Sequence, residues 1–568
     1  MGYVYSLENL VKTLNTEKGK ELAEKAKKAY EENYANQPIT VLSYAKYKLI
    51  HETGERAPFE DEYFDRRNRL RLLQILAVYD KKYITDLEDL LSAICEEYTW
   101  VLPAHCKRSF GRFDYSEIDL FSSETALYLS ETVFVLKDLL SKDIKSRIHE
   151  RLYERIVRNF ENRNFVFDEL QNNWCAVCGA GVGVTYLYAF PECFERIKDR
   201  IFKLMEQYLL SIGEDGYCVE GTNYWQYGFG FFALFFDVYV NMTGDYPEIL
   251  KRKKVVNTVK FLNDVYLGGK KYLPYGDGGV KEFTGYLDIY SCIKNLFKKE
   301  FTLPKSFGAD FIDETLSGDG VKAFKKGLGF RVINAINLFG NEVSKDNTGF
   351  KYFETGEVVI YRNKNYAFTT KCGSNGVSHG HNDVGAFEIV KDNKRLIADL
   401  GAGEYTWGYF NDNKVRYGDE IFVCGSQSHS VPIIDGKREK EIYGRGKVLS
   451  VDDKAFKIDI GGAYQNAINS LIVDYVWKDK ELDVSYEYAD QVEHQITYRF
   501  ISDYAPVIKD GKVVIEDTLT IECDKALEVK FDCKEYSIRR GDKLPAYIID
   551  FVADKAKSDK VNFKFIVK

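Results

Sequence analysis

The sequence predicts a protein of mixed α+β class, in which a helical N-terminal part is followed by an antiparallel β-sheet part. Apolar residues recur at helical spacing from about residue 18 to residue 267, and they alternate with other residues after about residue 325. Helices and strands in separate stretches are typical of segregated domains, not of a doubly wound sheet. We therefore predict a helical domain over residues 1–325 and a β-domain over residues 326–568.

The helical part contains several separate periodic segments. Leu129, Val133, Leu136 and Leu140 fall on one helix face, and residues 18–34 are rich in Ala, Glu and Lys. Short Gly, Pro or Asp breaks separate further helical patterns at residues 59–79, 86–98, 174–190, 193–210, 224–242 and 249–266. No fixed-period repeat accompanies them, so the pattern indicates a stack of helices rather than a solenoid.

The β part is recognised by a pattern in which apolar residues occupy every second position. Residues 482–488 and 496–500 place an apolar or aromatic side chain at every second position. Turn-forming pairs, Asp435-Gly436 and Asp510-Gly511, stand between such runs. A cleft between the helical and β parts is the expected place for a ligand.

Composition excludes several classes of function. The net charge is −8 without a basic tract, which argues against a nucleic-acid partner. No run of about 18 apolar residues is present, so we expect no membrane-spanning segment. The eleven cysteines show no disulfide spacing. Together with an N-terminus that lacks a secretory pattern, they predict a cytoplasmic protein, or a secreted or periplasmic one if a leader has been removed.

Two segments of the helical part place chemically capable residues beside glycines. Asn172-Asn173-Trp174 precedes a Gly-rich helical stretch, where an asparagine by itself is typical of a helix N-cap. In the segment 215–228, Tyr224 and Tyr227 share a helical face, a spacing that usually reflects packing. The residues alone leave structural and functional roles open for both segments.

The most informative stretch lies in the β part, at residues 378–383. His379 and His381 flank a glycine there, in a chain with only seven histidines. His381, Asp399 and His429 supply two imidazoles and a carboxylate, a set that suits zinc. The alternative is that these are three separately hydrogen-bonded loop residues.

Five segments in this order resemble the heparinase II/III-like polysaccharide lyases. They are residues 172–183, Glu220 to Trp225, Pro274 to Asp277, His379 to Asp383 and Ala398 to Gly401. The resemblance covers roughly Trp100 to Gly436. It implies an incomplete α/α toroid followed by an antiparallel β-sandwich domain. It also implies β-elimination on an acidic polysaccharide or oligosaccharide that contains uronic acid. A glycosaminoglycan such as heparan sulfate, chondroitin or hyaluronan is favoured, with alginate or an exopolysaccharide as other candidates.

Site residues are carried over from this resemblance by position. Asn173 is expected to neutralise the substrate carboxylate, Tyr224 to transfer protons and His379 to be the catalytic histidine. Because Trp225 and Gln226 depart from the pattern of some relatives, the tyrosine assignment could shift to Tyr227. The sequence does not decide whether one tyrosine is both base and acid or shares these roles with His379.

The resemblance further implies that His381, Asp399 and His429 hold a structural zinc ion, without an organic cofactor. We expect His105, Arg108, Trp174, Trp225 and Tyr227 to contact the substrate. The oligomeric state stays open, with a homodimer as one option. A basic turn that is simply solvated is the alternative reading of the His105 and Arg108 loop.

Rival functions have their own sequence features. A toroid-type glycoside hydrolase needs two positioned carboxylates, for which Glu220 and Asp277 are candidates. A metallo-β-lactamase-like hydrolase would share the HxHxD pattern, but Val384 stands where that pattern continues with histidine. A non-catalytic glycan-binding protein would keep the aromatic residues and would not need Tyr224 or His379.

Overall fold

The computed structural model describes residues 4–109, 112–278, 285, 287–303, 329–339, 348–418, 420–439, 443–464, 467–538 and 542–568. The predicted boundary between residues 325 and 326 lies outside these ranges. Within them the α-helices of the N-terminal part are Leu7–Leu14, Glu17–Asn33, Tyr44–Tyr47, Leu49–Glu52, Ala57–Tyr79, Ile84–Cys95, Leu120–Leu136, Lys142–Leu152, Arg158–Asn162, Asn173–Ala189, Lys198–Leu209, Thr222–Thr243, Lys253–Asp264, Leu287–Phe297 and Gly329–Phe339.

Three helices form the centre of the helical part. Asn173–Ala189 packs between Leu120–Leu136 and Thr222–Thr243, and apolar residues surround all three, as expected for fully buried helices. The contact is close because Gly181 has no side chain: a Cβ there would lie 2.6 Å from the backbone of Ser123. The helix Gly329–Phe339 packs on Ala57–Tyr79 and Leu287–Phe297, so helical packing continues beyond residue 325.

The C-terminal part consists of antiparallel sheets. Five strands, Gly349–Phe353, Val358–Arg362, Ala367–Lys371, Phe387–Lys391 and Lys394–Ile397, form a meander. Eight strands form a second sheet, in the order Lys447–Val451, Ala455–Asp459, Ile472–Trp477, Glu481–His494, Ala556–Val567, Leu519–Cys523, Lys512–Ile515 and Pro506–Lys509. A third sheet has the order Ile433–Ile434, Ile496–Ser502, Lys543–Val552 and Glu528–Ser537.

The five-stranded meander is the layer between the helices and the other sheets. Val358 and Ile360 belong to the same apolar core as the helices, whereas Val359 and Phe368 belong to the core shared with the eight-stranded sheet. Alternate side chains of a strand point to opposite faces, so one strand contributes to both cores. The loops that leave this meander therefore begin beside the helical part, and they carry His379 and Asp399.

Smaller elements complete the chain. Two-stranded pairs are Arg108–Ser109 with Arg112–Phe113 and Tyr266–Gly268 with Lys271–Tyr272, and short helices lie at Trp407–Asn411 and Asn413–Arg416. Among the described residues, no helix is long and apolar enough to cross a membrane. Cys175 and Cys178 are buried free thiols within a helix, which fits a structural role.

Candidate active site

Asn173 stands at the N-terminus of the central helix Asn173–Ala189. The preceding residue, Asn172, is the N-cap, and its side chain accepts a hydrogen bond from the backbone N–H of Trp174 at 3.0 Å. The Asn173 side chain is thereby free for another contact: its Nδ2 donates to Glu220 Oε1 at 3.1 Å. The N-cap role therefore falls on Asn172 and not on Asn173.

Tyr224 lies in the first turn of the helix Thr222–Thr243. The helix begins after Gly221, which has φ +88°, a conformation that a residue with a side chain rarely adopts. The tight turn before the helix places Tyr224 against the β part of the chain, where its ring stacks on that of His379, with centroids 4.1 Å apart and planes 22° from parallel.

Tyr227 occupies the same helical face but faces another partner. Its hydroxyl donates a hydrogen bond to Glu124, a buried residue of the helix Leu120–Leu136. The pKa of Tyr227 lies well above its ordinary value, mainly because the residue is buried and secondly because Glu124 is close to it. A phenol that donates to a carboxylate resists deprotonation, so Tyr227 is less available for proton transfer than a tyrosine without such a contact.

His379 lies in the loop between the strands Ala367–Lys371 and Phe387–Lys391. Its backbone has φ +56°, a left-handed conformation that is uncommon for a histidine and that is found often at functional sites. The loop is fixed from the helical part, because the backbone N–H of Asp277 donates to His379 O at 3.0 Å. Gly276 permits this approach, since a Cβ there would lie 2.5 Å from the same oxygen.

Asp277 is the centre of the hydrogen-bond network, a role that sequence reasoning missed. Its Oδ2 contacts His379 Nδ1 at 2.5 Å and accepts from the Tyr405 hydroxyl at 2.9 Å. Its Oδ1 contacts His381 Nε2 at 3.2 Å and accepts from the Tyr409 hydroxyl. Burial by itself would raise the pKa of Asp277, but the hydrogen bonds of its carboxylate with His379 and His381 hold the pKa well below the ordinary value.

The ionised Asp277 determines which nitrogen of His379 carries a proton. A carboxylate only accepts hydrogen bonds, so Nδ1 of His379 must be the N–H donor. The other nitrogen, Nε2, points to the opposite side of the ring and lies 4.0 Å from Glu220 Oε1. Tyr405 connects the hydrogen-bond network of Asp277 to Tyr224, because the hydroxyl oxygens of the two tyrosines are 3.2 Å apart.

Glu220 is a buried carboxylate that joins the two halves of the site. It accepts from the backbone N–H and the side chain of Asn173, and from Ser378 Oγ at 3.3 Å. Burial raises its pKa, against the opposing effects of His379 and Asn173. Its neighbours hold it in place, and its raised pKa lets it take up a proton more readily than an exposed glutamate.

A second group of side chains lies next to this network: His381, which contacts Asp277, is close to Asp399 and His429. Each is buried and offers one ligand atom, and these atoms lie within 4.8 Å of one another. His429 Nδ1 is 2.8 Å from Asp399 Oδ2. His381 Nδ1 and His429 Nε2 are buried and have no hydrogen-bond partner among the described residues, which is costly unless another group binds them. The three side chains therefore fit a divalent cation, and the donor set is one that zinc uses.

Of the five residues predicted to contact substrate, Tyr227 is turned to Glu124 as described above, and the other four divide into three groups. His105 and Trp174 are partly exposed neighbours near Asn173, with ring centroids 4.9 Å apart, and Asp119 holds His105 Nδ1 at 2.9 Å. The side chain of Arg108 lies outside the described residues. The prediction for Trp225 was wrong, because its side of the helix faces the core: the side chain is fully buried, and its indole N–H donates to Thr258 O.

Sequence reasoning also passed over Tyr405, Tyr409 and Phe410. They follow the Asp399 segment and form an aromatic wall, in which Phe410 is 43% exposed and 6.3 Å from the His379 ring. The signal available in the sequence was this cluster of aromatic residues, which follows the predicted metal ligand Asp399. Arg416 adds a cation to this wall, stacks on Tyr409 and donates to Gly380 O at 3.2 Å.

Comparisons with known proteins agree with this architecture. The family described as "Heparinase II/III-like, C-terminal" matches residues 345–455. The structure is similar to a heparinase III, with TM-score 0.60 and 14% identity over 96% of this chain and 91% of that one. No curated protein sequence matches the chain.

Two further solved structures have the same fold. A heparan sulfate lyase HepC mutant from Pedobacter heparinus has TM-score 0.60 and 12% identity, over 96% of this chain and 87% of that one. A chondroitin AC lyase from Streptomyces coelicolor A3, in complex with chondroitin sulphate, has TM-score 0.54 and 10% identity, over 99% of this chain and 82% of that one. The comparisons confirm the resemblance and the predicted fold class, a helical region followed by antiparallel sheets, which is a fold of polysaccharide lyases.

Proposed function

We propose that this chain is a polysaccharide lyase that cleaves a uronic-acid-containing polysaccharide or oligosaccharide by β-elimination. The observation that carries the proposal is the stacked pair of Tyr224 and His379. Asn173 is connected to this pair through Glu220, which accepts from Asn173 Nδ2 and lies 4.0 Å from His379 Nε2. The family match over residues 345–455 and the lyase fold support it. A glycosaminoglycan is the favoured substrate class.

Removal of the proton at C5 of a uronate needs a base and a way to stabilise charge on the carboxylate. Nε2 of His379 is the proposed base, since Asp277 holds the proton on Nδ1 and leaves the Nε2 lone pair available. One N–H of Asn173 is held by Glu220, and the second can donate to the substrate carboxylate as charge develops there. A protonated Glu220 would avoid repulsion with that carboxylate.

Tyr224 is the proposed general acid. As C5 loses its proton to His379, the C4–O4 bond breaks, and the Tyr224 hydroxyl donates its proton to the departing O4. The products are an unsaturated uronate and a shortened chain. His379 is left with one extra proton and Tyr224 with one too few, and transfer between them directly or through water restores the enzyme. No water is consumed in the reaction.

The proposed metal site would contribute structure and not chemistry at the sugar. His381, Asp399 and His429 would hold a divalent cation, with zinc favoured, and the ion would link the loops that carry these residues. His379, Tyr224 and Asn173 perform the proposed steps without it.

Ultraviolet absorbance of the unsaturated uronate tests the proposal. The wild type and the variants Tyr224→Phe and His379→Ala are incubated with heparan sulfate, chondroitin sulfate, hyaluronan, alginate and their oligosaccharides. We expect absorbance to rise on one substrate class and each variant to lose about 10²–10⁴-fold in rate. Tyr246→Phe, which changes an exposed tyrosine just beyond the C-terminal end of the same helix, is the matched control.

Other outcomes would contradict the proposal in distinct ways. Release of reducing ends without absorbance would indicate hydrolysis, for which Glu220 and Asp277 are the candidate carboxylates. Glycan binding with no cleavage, unchanged by the two substitutions, would indicate a binding protein.

A further inference from the structure

Asp277 contacts both the proposed catalytic histidine and a histidine of the candidate metal site. One of its carboxylate oxygens is 2.5 Å from His379 Nδ1, and the other is 3.2 Å from His381 Nε2. The hydroxyls of Tyr405 and Tyr409 donate to the same two oxygens. Asp277 itself is 1% exposed, so water cannot replace any of these four contacts without rearrangement.

The contact with His381 fixes how this ring can bind a cation. With Nε2 turned to Asp277, the only ring nitrogen that remains for a metal is Nδ1, the buried atom without a hydrogen-bond partner among the described residues. A metal-binding histidine whose second ring nitrogen donates to a carboxylate is a recurrent arrangement, in which the carboxylate fixes the orientation of the ring. Asp277 takes that position for His381.

The contact with His379 has the same effect on the proposed base. Nδ1 is held by the carboxylate, and the loop backbone is held by the bond from Asp277 N–H to His379 O at 3.0 Å. A displacement of Asp277 therefore moves the ring and the left-handed backbone of His379 together. A change of about 1 Å in such a position is enough to reduce turnover severely.

We propose that Asp277 is a positioning residue that couples the cation site of His381, Asp399 and His429 to the orientation of His379. A cation bound at the triad raises the rate of the reaction without touching the substrate, because it fixes His381, which fixes Asp277 and, through it, His379. This inference rests on the proposed function for its effect on turnover. Its effect on cation binding does not depend on any substrate.

Cation affinity is the first measurement. The metal-free protein is titrated with Co²⁺ alone, and binding is followed by visible absorbance for the wild type, Asp277→Asn and the control Asp264→Asn. Asp264 pairs with Lys351 and contacts neither histidine. We expect Asp277→Asn to weaken Co²⁺ binding by about 10–100-fold and Asp264→Asn to leave it unchanged. Equal affinity of Asp277→Asn and wild type, or no binding by the wild type, would overturn the proposal.

Turnover provides the second measurement. His429→Ala and Asp277→Asn should each lower kcat with little change in KM, and the double variant should be no slower than the slower single one, because both act on one chain of contacts. Losses that multiply would show independent effects and would refute the coupling. If no protein turns over any uronide, the proposed function fails, while the Co²⁺ titration still tests the role of Asp277 at the cation site.

A second variant guards against misfolding of Asp277→Asn. His379→Gln changes the ring on the far side of the carboxylate and adds no ligand to the triad. We expect it to shift the absorbance band of bound Co²⁺, because Asp277 loses its contact with His379 Nδ1 and its bond to His381 readjusts. An unchanged band in a folded His379→Gln protein would refute the coupling.

Discussion

The pH dependence of stability should reveal the buried acid beneath the site, Glu124. This residue is 5% exposed in the helix Leu120–Leu136 and accepts hydrogen bonds from the hydroxyls of Tyr128 and Tyr227. Burial raises its pKa from an ordinary value of 4.5 to about 7, although the two hydrogen bonds oppose the change. We choose the substitution Glu124→Gln, which keeps the shape of the side chain and removes its titratable carboxyl group.

The sign of the effect follows from the order of ionisation. Below pH 4.5 Glu124 is protonated in both the folded and the unfolded chain, and it contributes no pH dependence. Between pH 4.5 and about 7 the unfolded chain loses this proton first, so the free energy of unfolding falls as pH rises. One pH unit corresponds to about 1.4 kcal/mol, so the loss approaches about 3 kcal/mol above pH 7.

Urea unfolding monitored by circular dichroism measures this difference. The unfolding free energies of wild type and Glu124→Gln are compared at pH values from 4 to 8, and other titrating groups cancel in the difference. We expect the variant to gain about 3 kcal/mol relative to wild type across this range. Glu31→Gln, a change at an exposed position of the helix Glu17–Asn33, should follow the wild-type curve. A difference that stays constant with pH would refute the argument.

Three further predictions concern the site. Tyr227→Phe should keep turnover within a few fold in the ultraviolet assay but lower the free energy of unfolding by about 1–3 kcal/mol, because Glu124 loses a buried donor; a loss of turnover as large as that of Tyr224→Phe would contradict our choice of tyrosine. His429→Ala should reduce bound divalent metal to background in atomic emission analysis, and full retention of metal would contradict the triad. Phe410→Ala should raise KM about 3–10-fold at unchanged kcat if its exposed ring stacks on a sugar, since such contacts contribute about 0.5–1.5 kcal/mol; an unchanged KM would exclude that contact.

The sequence by itself determined the fold class and the order of its parts. Helical spacing and alternation of two are local properties, set by which side chains must be buried, and they can be read without knowing what covers each face. The helix that begins at Asn173 and the strands Glu481–His494 and Ile496–Ser502 lie where these patterns predict them. The predicted triad of His381, Asp399 and His429 is brought together in the structure, although its metal stays a prediction.

The tertiary structure decided which residues meet. Tyr224 and Tyr227 are equivalent on a helical face, and only the packing of the helix shows that one faces His379 and the other Glu124. Trp225 looked like a substrate contact and proved to be part of the core. Asp277 lies about a hundred residues from its histidine partners in the chain, and no local pattern reports such a contact. Its central position depends on a loop of the β part approaching a turn of the helical part, and this long-range geometry is set by the packing of whole layers.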